Sequence, residues 1–254
     1  MMRYILSASN RPVLKKLSSG NVLVAFDFDG TLAPIVSKPH KAAIRPGTRR
    51  LLKRLTLLYP CIVVSGRGRD DVRRKLAGLE FREVIGNHGI EPWNSSRKMA
   101  RAVQAWLPIL KKGLEHLHGV LLENKRFSIS IHYRHARHKK NVLKTITEIA
   151  RSLPGARLVG GKLVINILPE GARDKGLAVK RACQEIHCQT VIYVGDDQTD
   201  EDAFVLARRG RFLTIRVGAA KSSYAHFYIR NQLEIDRLLK VLLELRSDLE
   251  NRRT

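Results

Sequence analysis

The stretch "VLVAFDFDGTLAPI", Val22 to Ile35, runs five apolar residues together and then sets two acids one residue apart. Short continuous apolar runs suit strands covered on both faces, as in a parallel sheet. Val22 to Phe26 is therefore predicted to be a buried strand, with Asp27 and Asp29 following its carboxyl end. Taking a carboxylate out of water costs several kcal/mol unless it is paired or metal-bound. Either a cation sits beside these acids or the site is open. Side chains at i and i+2 share a face, so if Asp27 faces a crevice, Asp29 can too. Gly30 lets the backbone turn sharply, and Thr31 offers a hydroxyl and an amide to an anion.

Working outward, runs rich in Val, Ile and Phe alternate with helical patterns, the signature of βαβ units and a parallel sheet. A helix is expected over about 47–59, with Leu51, Leu52, Leu55 and Leu58 on one face, then a strand "CIVV" ending at Ser65, a basic helix, and a short strand "REVIG". From about Pro92 to Leu168 the order changes to helix, strand, strand, helix, strand, strand, which reads as a small α+β domain inserted in the larger one. The parallel pattern resumes with a helix over about 175–186, a strand "TVIYVG", a helix from about Asp200, a strand "RFLTIRV" and a last helix over about 233–249. The fold class is thus α/β: a doubly wound core of residues 1–91 and 169–254 with an inserted αββαββ cap of residues 92–168.

At 254 residues the chain can bury a large core. No apolar run approaches the roughly 18 residues of a membrane span, and "MMRYILSASNRP" does not read as a secretory signal. A cytoplasmic protein is expected, with Cys61, Cys183 and Cys188 as reduced thiols, since they show no metal-ligand spacing. The formal charge of +24 would attract any polyanion. Its lysines and arginines are dispersed and come with no recognition helix, Cys/His finger or aromatic strand platform, so nucleic acid is not the expected partner. A phosphorylated small molecule would also be drawn to this field.

Four polar clusters follow strands or open helices of the outer pattern: "DFDGT", "VSGR", "RDKG" and "VGDDQTDEDAF". In a doubly wound sheet the carboxyl ends of the strands line one edge, so these clusters can meet in one crevice. Asp27, Asp196, Asp197 and Asp200 would offer oxygen ligands suited to Mg²⁺, while Lys175 and Ser65 could hold phosphate oxygens. Each cluster alone has a plainer reading. Asp174 caps a helix equally well, and the acids of "GDDQTDEDAF" suit a helix amino terminus.

Taken together, in this order, the clusters resemble the haloacid dehalogenase superfamily of phosphatases. That resemblance implies Asp27 as a nucleophile forming an aspartyl-phosphate and Asp29 as the acid and base. It also implies Mg²⁺ held by Asp27, the Asp29 carbonyl and Asp196, leaving open whether Asp197 and Asp200 contact it directly, and a phosphate site of Thr31, Ser65, Gly66 and Lys175. Within the superfamily, "VSGR", "GNHGIEP", "ENKRFSISIHYR" and "GDDQTDEDAF" look like the trehalose-6-phosphate phosphatase family. This narrower resemblance implies a sugar site drawn from Arg67, His88, Glu123, Lys125, His132, Arg134 and Asn166.

One element departs from that family's pattern: where it has "V-E-x-R-P", this chain reads "VINILP", with Asn166 in the Glu place and Leu168 in the Arg place. Asn keeps a hydrogen-bonding oxygen and loses the charge. The expected reaction is Mg²⁺-dependent hydrolysis of trehalose 6-phosphate. Sucrose phosphate or glucosylglycerol phosphate stands as an alternative substrate, and a non-catalytic nucleic-acid-binding protein as an alternative class. A monomer is expected, although the sequence does not specify an oligomeric state.

Overall fold

The computed structural model describes residues 2–18, 20–206 and 211–250. In chain order its elements begin with β1 (Arg3–Tyr4), α1 (Arg11–Ser18), β2 (Val22–Phe26), α2 (Pro46–Leu58), β3 (Cys61–Val64), α3 (Arg69–Lys75) and β4 (Glu83–Ile85). The middle of the chain forms α4 (Arg97–Leu114), β5 (Leu121–Asn124), β6 (Ile129–His132), α5 (Lys139–Arg151), β7 (Ala156–Gly161) and β8 (Val164–Pro169). The remainder forms α6 (Lys175–Glu185), β9 (Thr190–Gly195), α7 (Glu201–Phe204), β10 (Phe212–Val217), β11 (Phe227–Ile229) and α8 (Ile235–Glu250).

Seven strands pair in the order β1-β11-β10-β9-β2-β3-β4, every pair parallel. Strand β2, flanked by β9 and β3, is buried throughout, and its alternation feeds two layers. Val22, Val24 and Phe26 pack with Leu52 and Leu55 of α2 and Leu238 and Leu242 of α8. Leu23 and Ala25 face the other way, toward Val179 and Ala182 of α6. From β2 the chain steps outward to β3 and β4, whereas β9, on the other side of β2, leads to β10 and β11. The order in which strands are added therefore reverses at the β2–β9 pair, and a crevice opens there at the carboxyl ends of the strands.

The inserted segment builds a second, antiparallel sheet in the order β5-β6-β8-β7. Ile129, Ile131, Ile165 and Ile167 point to one face and pack with Trp106 and Leu110 of α4 and Ile146 of α5. The residues between them must face the opposite side. Cross-strand register aligns Glu123 with Ser130 and Ser130 with Asn166, so that side carries a polar row.

Three elements went unanticipated: the edge strand β1, its sheet neighbour β11, and α1. Each is short, and β1 and β11 depend on sheet pairing more than on any pattern of their own. The helix expected from Asp200 starts as a 3₁₀ turn over Gln198–Asp200 and becomes α-helical at Glu201.

Candidate active site

Strand β2 delivers Asp27 into the crevice, where its side chain is almost fully buried. The amino terminus of α6 brings Lys175 beneath it. Asp174 caps that helix by accepting from the Leu177 amide at 2.8 Å, so the plain helix-start reading of "RDKG" also holds. Lys175 is nonetheless buried, and its Nζ donates to Asp27 Oδ1 at 2.7 Å and Asp200 Oδ1 at 2.8 Å. Burial lowers the Lys175 pKa, but the charges of Asp200 and Asp27 outweigh it and leave the ammonium more firmly protonated than usual.

Asp200 is enclosed completely. Its Oδ1 also accepts from the Tyr193 hydroxyl at 2.6 Å, and its Oδ2 accepts from the amides of Asp196 at 2.8 Å and Asp197 at 2.9 Å. This carboxylate thus ties the loop after β9 to Lys175. Asp196 Oδ1, by contrast, is buried with no protein partner. Burial pushes the Asp196 carboxyl up to about 8, reinforced by Asp200 and Asp197. Asp27 is raised for the same first reason, with Lys175 opposing and Asp200 and Asp196 adding. Ligand oxygens of Asp27, Asp196 and Asp200 lie within 4.8 Å of one another. One lysine does not offset three clustered carboxylates, and a small divalent cation fits this donor set. Gly30, at φ +83°, makes the approach possible, since a Cβ there would stand 2.2 Å from Asp196 Oδ2.

The other two acids of the sequence reading sit differently. Asp197 caps the Gln198–Asp200 turn, accepting from the Gln198 amide at 2.7 Å, and is not among the three converging carboxylates. Asp29 is partly exposed, and its side chain turns to Arg67. Arg67 Nε donates to Asp29 Oδ2 at 2.6 Å and its Nη2 to Oδ1 at 2.8 Å. Arg67 also reaches Asp71 at 2.9 Å and the Pro39 carbonyl at 2.7 Å. Sequence reasoning cast Arg67 as a sugar contact; here it lines the cleft while forking onto Asp29.

Thr31 Oγ1 is buried without a protein partner, and Ser65 is buried at the end of β3, where its Oγ accepts from the Arg67 amide at 3.2 Å. The Gly66 carbonyl accepts from Lys125 Nζ at 2.9 Å. A Cβ on Gly66 would lie 2.6 Å from His88 Cε1, so only glycine lets that ring lie against the loop. His88 is buried with neither ring nitrogen partnered within the protein. Burial first, then the charges of Lys125 and Lys175, holds it well below the ordinary histidine range, in its neutral form.

The cap supplies the opposite wall. Lys125 Nζ donates to Ser130 Oγ at 2.7 Å and lies 3.7 Å from Glu123 Oε2. Glu123 Oε2 meets His132 Nε2 at 2.9 Å. Burial raises the Glu123 pKa, but the His132 hydrogen bond and the Lys125 charge outweigh it and hold the carboxyl at about 2. Ser130 Oγ donates to Asn166 Oδ1 at 2.6 Å. Arg134 stands at the rim, its guanidinium 3.4 Å from the Lys162 carbonyl. One cavity of about 450 Å³ joins Asp27, Asp29, Lys175 and Asp196 to Glu123, Lys125, His132, Arg134 and Asn166.

A sequence profile described as trehalose-phosphatase matches residues 25–232. The chain belongs to the trehalose-phosphatase family. It is 32% identical to the probable trehalose-phosphate phosphatase D of Arabidopsis thaliana, over 91% of this chain and 70% of that protein. Identity is also 32% with the probable trehalose-phosphate phosphatase 4 of Oryza sativa subsp. japonica, over 89% of this chain and 67% of the relative. Among solved structures, the C-terminal domain of the C. albicans trehalose-6-phosphate phosphatase superposes with a TM-score of 0.82 at 22% identity, covering 96% of this chain and 99% of that one. That likeness establishes a shared fold.

Of the departures within "VINILP", Asn166 lines the cleft, whereas Leu168 does not. Leu168 is buried in a small apolar cluster with Ile90 and Phe127, so its replacement of Arg alters a junction between the two sheets. Sequence reasoning also missed Ser130, which alternates with isoleucines and so faces the cleft, and Tyr193, which anchors Asp200. The pattern of "SISI" could have exposed Ser130. Nothing local marks Tyr193, because its partner lies across a strand end.

Proposed function

We propose that this chain hydrolyses trehalose 6-phosphate to trehalose and phosphate through an aspartyl-phosphate at Asp27. The observation that carries this reading is the single cavity whose floor holds Asp27 on Lys175 and whose roof is the Glu123, Ser130 and Asn166 row with Lys125 beside it. Membership in the trehalose-phosphatase family gives the sugar phosphate its identity. A cavity of about 450 Å³ lies within the roughly 300–1,000 Å³ of small-molecule sites.

In this proposal an Asp27 oxygen attacks phosphorus while the sugar oxygen leaves with a proton from Asp29. Water then attacks the aspartyl-phosphate as Asp29 takes up its proton, and phosphate and free Asp27 are regenerated. Both oxygens of Asp29 are engaged by Arg67, so this role requires that fork to open. Lys175, Thr31, Ser65 and the loop at Gly66 steady the phosphoryl oxygens. For phosphoryl transfer such placement and charge stabilisation make up most of the catalysis.

Mg²⁺ would be held by Asp27 and Asp196, with Asp200 beside them and, as the resemblance implies, the Asp29 carbonyl, and would neutralise charge on the transferring group. Residues 92–168 serve in this reading as a cap that supplies sugar contacts and excludes water over a core of residues 1–91 and 169–254. A cytoplasmic monomer acting on a small sugar phosphate completes the proposal. Among the described residues no helix is long and apolar enough to cross a membrane.

The test is phosphate release from trehalose 6-phosphate, sucrose 6-phosphate, glucose 6-phosphate and p-nitrophenyl phosphate, with Mg²⁺ and with EDTA. Metal-dependent preference for trehalose 6-phosphate is expected. Preference for another sugar phosphate would keep the chemistry and move the substrate, with Asn166 the residue to exchange first.

A further inference from the structure

The turn joining β5 to β6, Lys125 to Ser128, holds a side chain that crosses from the cap to the core, Lys125 Nζ donating to the Gly66 carbonyl at 2.9 Å. Lys125 donates its amide to the Ser128 carbonyl at 2.9 Å, which closes the turn. What fixes this turn against the core is Asn87, in the segment that follows β4. Asn87 is fully buried at φ +50°, a conformation asparagine accepts more readily than most residues. Its Oδ1 accepts from Ser128 Oγ at 2.5 Å, and its Nδ2 donates to the Lys125 carbonyl at 3.2 Å and to Glu91 Oε2 at 2.6 Å. Its own amide donates to the Arg67 carbonyl at 2.7 Å. One neutral amide thus offers an acceptor and a donor across the junction and a second donor to Glu91 in its own loop, a combination that neither a carboxylate nor an apolar side chain supplies. Phe127, at the tip of the same turn, packs with Ile90 and Leu168 alongside.

We propose that Asn87 is a positioning residue for sugar-phosphate turnover, bolting the Lys125–Ser128 turn of the cap to the phosphate side of the core and so setting where Glu123 and Lys125 stand above Asp27. This rests on the reading of Glu123 and Lys125 as sugar contacts. Asn87 itself does not line the cavity, so its effect passes through the hairpin. A displacement of about 1 Å in such a wall costs up to roughly a hundredfold in rate, while a phosphate ester with no sugar to recognise does not register it.

The experiment is a double-mutant cycle in the full chain. Asn87→Gly keeps the left-handed backbone and deletes the amide; Ser128→Ala deletes the facing hydroxyl and leaves Asn87 in place. Each single variant is expected to lose about ten- to a hundredfold in kcat/KM for trehalose 6-phosphate with turnover of p-nitrophenyl phosphate unchanged. The double variant should be no worse than Asn87→Gly alone, because both remove one linkage. Equal losses on the two esters, no loss on either, or fully additive losses would overturn the proposal. If Asn87→Gly does not fold, Ser128→Ala carries the same expectation by itself. Wild type that hydrolyses p-nitrophenyl phosphate but not trehalose 6-phosphate would refute the substrate reading and leave the bolt to a second readout. That readout is amide hydrogen exchange over residues 121–132, which should quicken in Asn87→Gly or Ser128→Ala relative to β2 and β9; unchanged exchange there would overturn the bolt whatever the substrate.

Discussion

The floor and the roof of the cleft are built on opposite terms. On the floor, Asp27, Lys175 and Asp200 are buried, and Lys175 spans the two acids through hydrogen bonds of 2.7 and 2.8 Å. On the roof, Ser130 and Asn166 are buried in neutral hydrogen bonds, while the paired Glu123 and His132 stay partly open to solvent. Buried charge is expensive and tolerates no loss of a partner, so the floor is rigid and insensitive to what the rest of the substrate is. Polar groups that stay partly open, as Glu123 and His132 do, can exchange a hydrogen bond for a sugar hydroxyl at small cost. In the proposed reaction the chemistry belongs to the first region and the choice of substrate to the second.

The largest effect that would break this contrast comes from Asp27→Asn. It should cut turnover of every phosphate ester by at least about a thousandfold, since the nucleophile is lost whatever the leaving group. Phosphate release measured side by side on trehalose 6-phosphate and p-nitrophenyl phosphate checks this, and survival of either activity would remove Asp27 from its role. Lys175→Met should come next, at roughly a hundredfold on both esters, with loss of about 3 kcal/mol in stability because it leaves two carboxylates buried together. Chemical denaturation reads the second number, and a variant as stable as wild type would show that the lysine does not hold the floor.

The smallest effect concerns His88, which sits where floor meets roof. Its folded-state pKa lies below that of the unfolded chain, so the unfolded state binds a proton first as pH falls. The stability of wild type should therefore be full above about pH 6.5 and decline as the pH falls through the range below it. His88→Asn, which suits the φ of +58° at this position, should flatten that decline. Melting temperatures measured from pH 8 to pH 5 test it; identical slopes in both proteins would mean that His88 takes up its proton without penalty.

Much of the floor was legible because its residues follow strands whose apolar runs are unmistakable. Val22 to Phe26 and Thr190 to Gly195 place Asp27 and Asp196 at the same sheet edge before any contact is known. The plainer readings were also right in part: Asp174 and Asp197 are helix caps, and it is their neighbours Lys175, Asp196 and Asp200 that gather around Asp27. What the chain order could not reveal are the pairings across long separations. Arg67 forking onto Asp29, and Asn87 grasping a turn some forty residues later, depend on how loops from different strands meet. Leu168 shows the converse, since the sequence marked it only as a departure in the Arg place of a motif, while the fold uses it to pack the junction with Ile90 and Phe127.

The division of labour is tested most directly by Glu123→Ala, assayed on trehalose 6-phosphate and p-nitrophenyl phosphate in the same Mg²⁺ buffer. The account predicts a ten- to hundredfold drop, roughly 1.4–2.7 kcal/mol of transition-state binding, in kcat/KM for the sugar phosphate and an unchanged value for the small ester. Parallel losses on both would contradict it, because the roof would then be part of the chemistry and not of the choice of substrate.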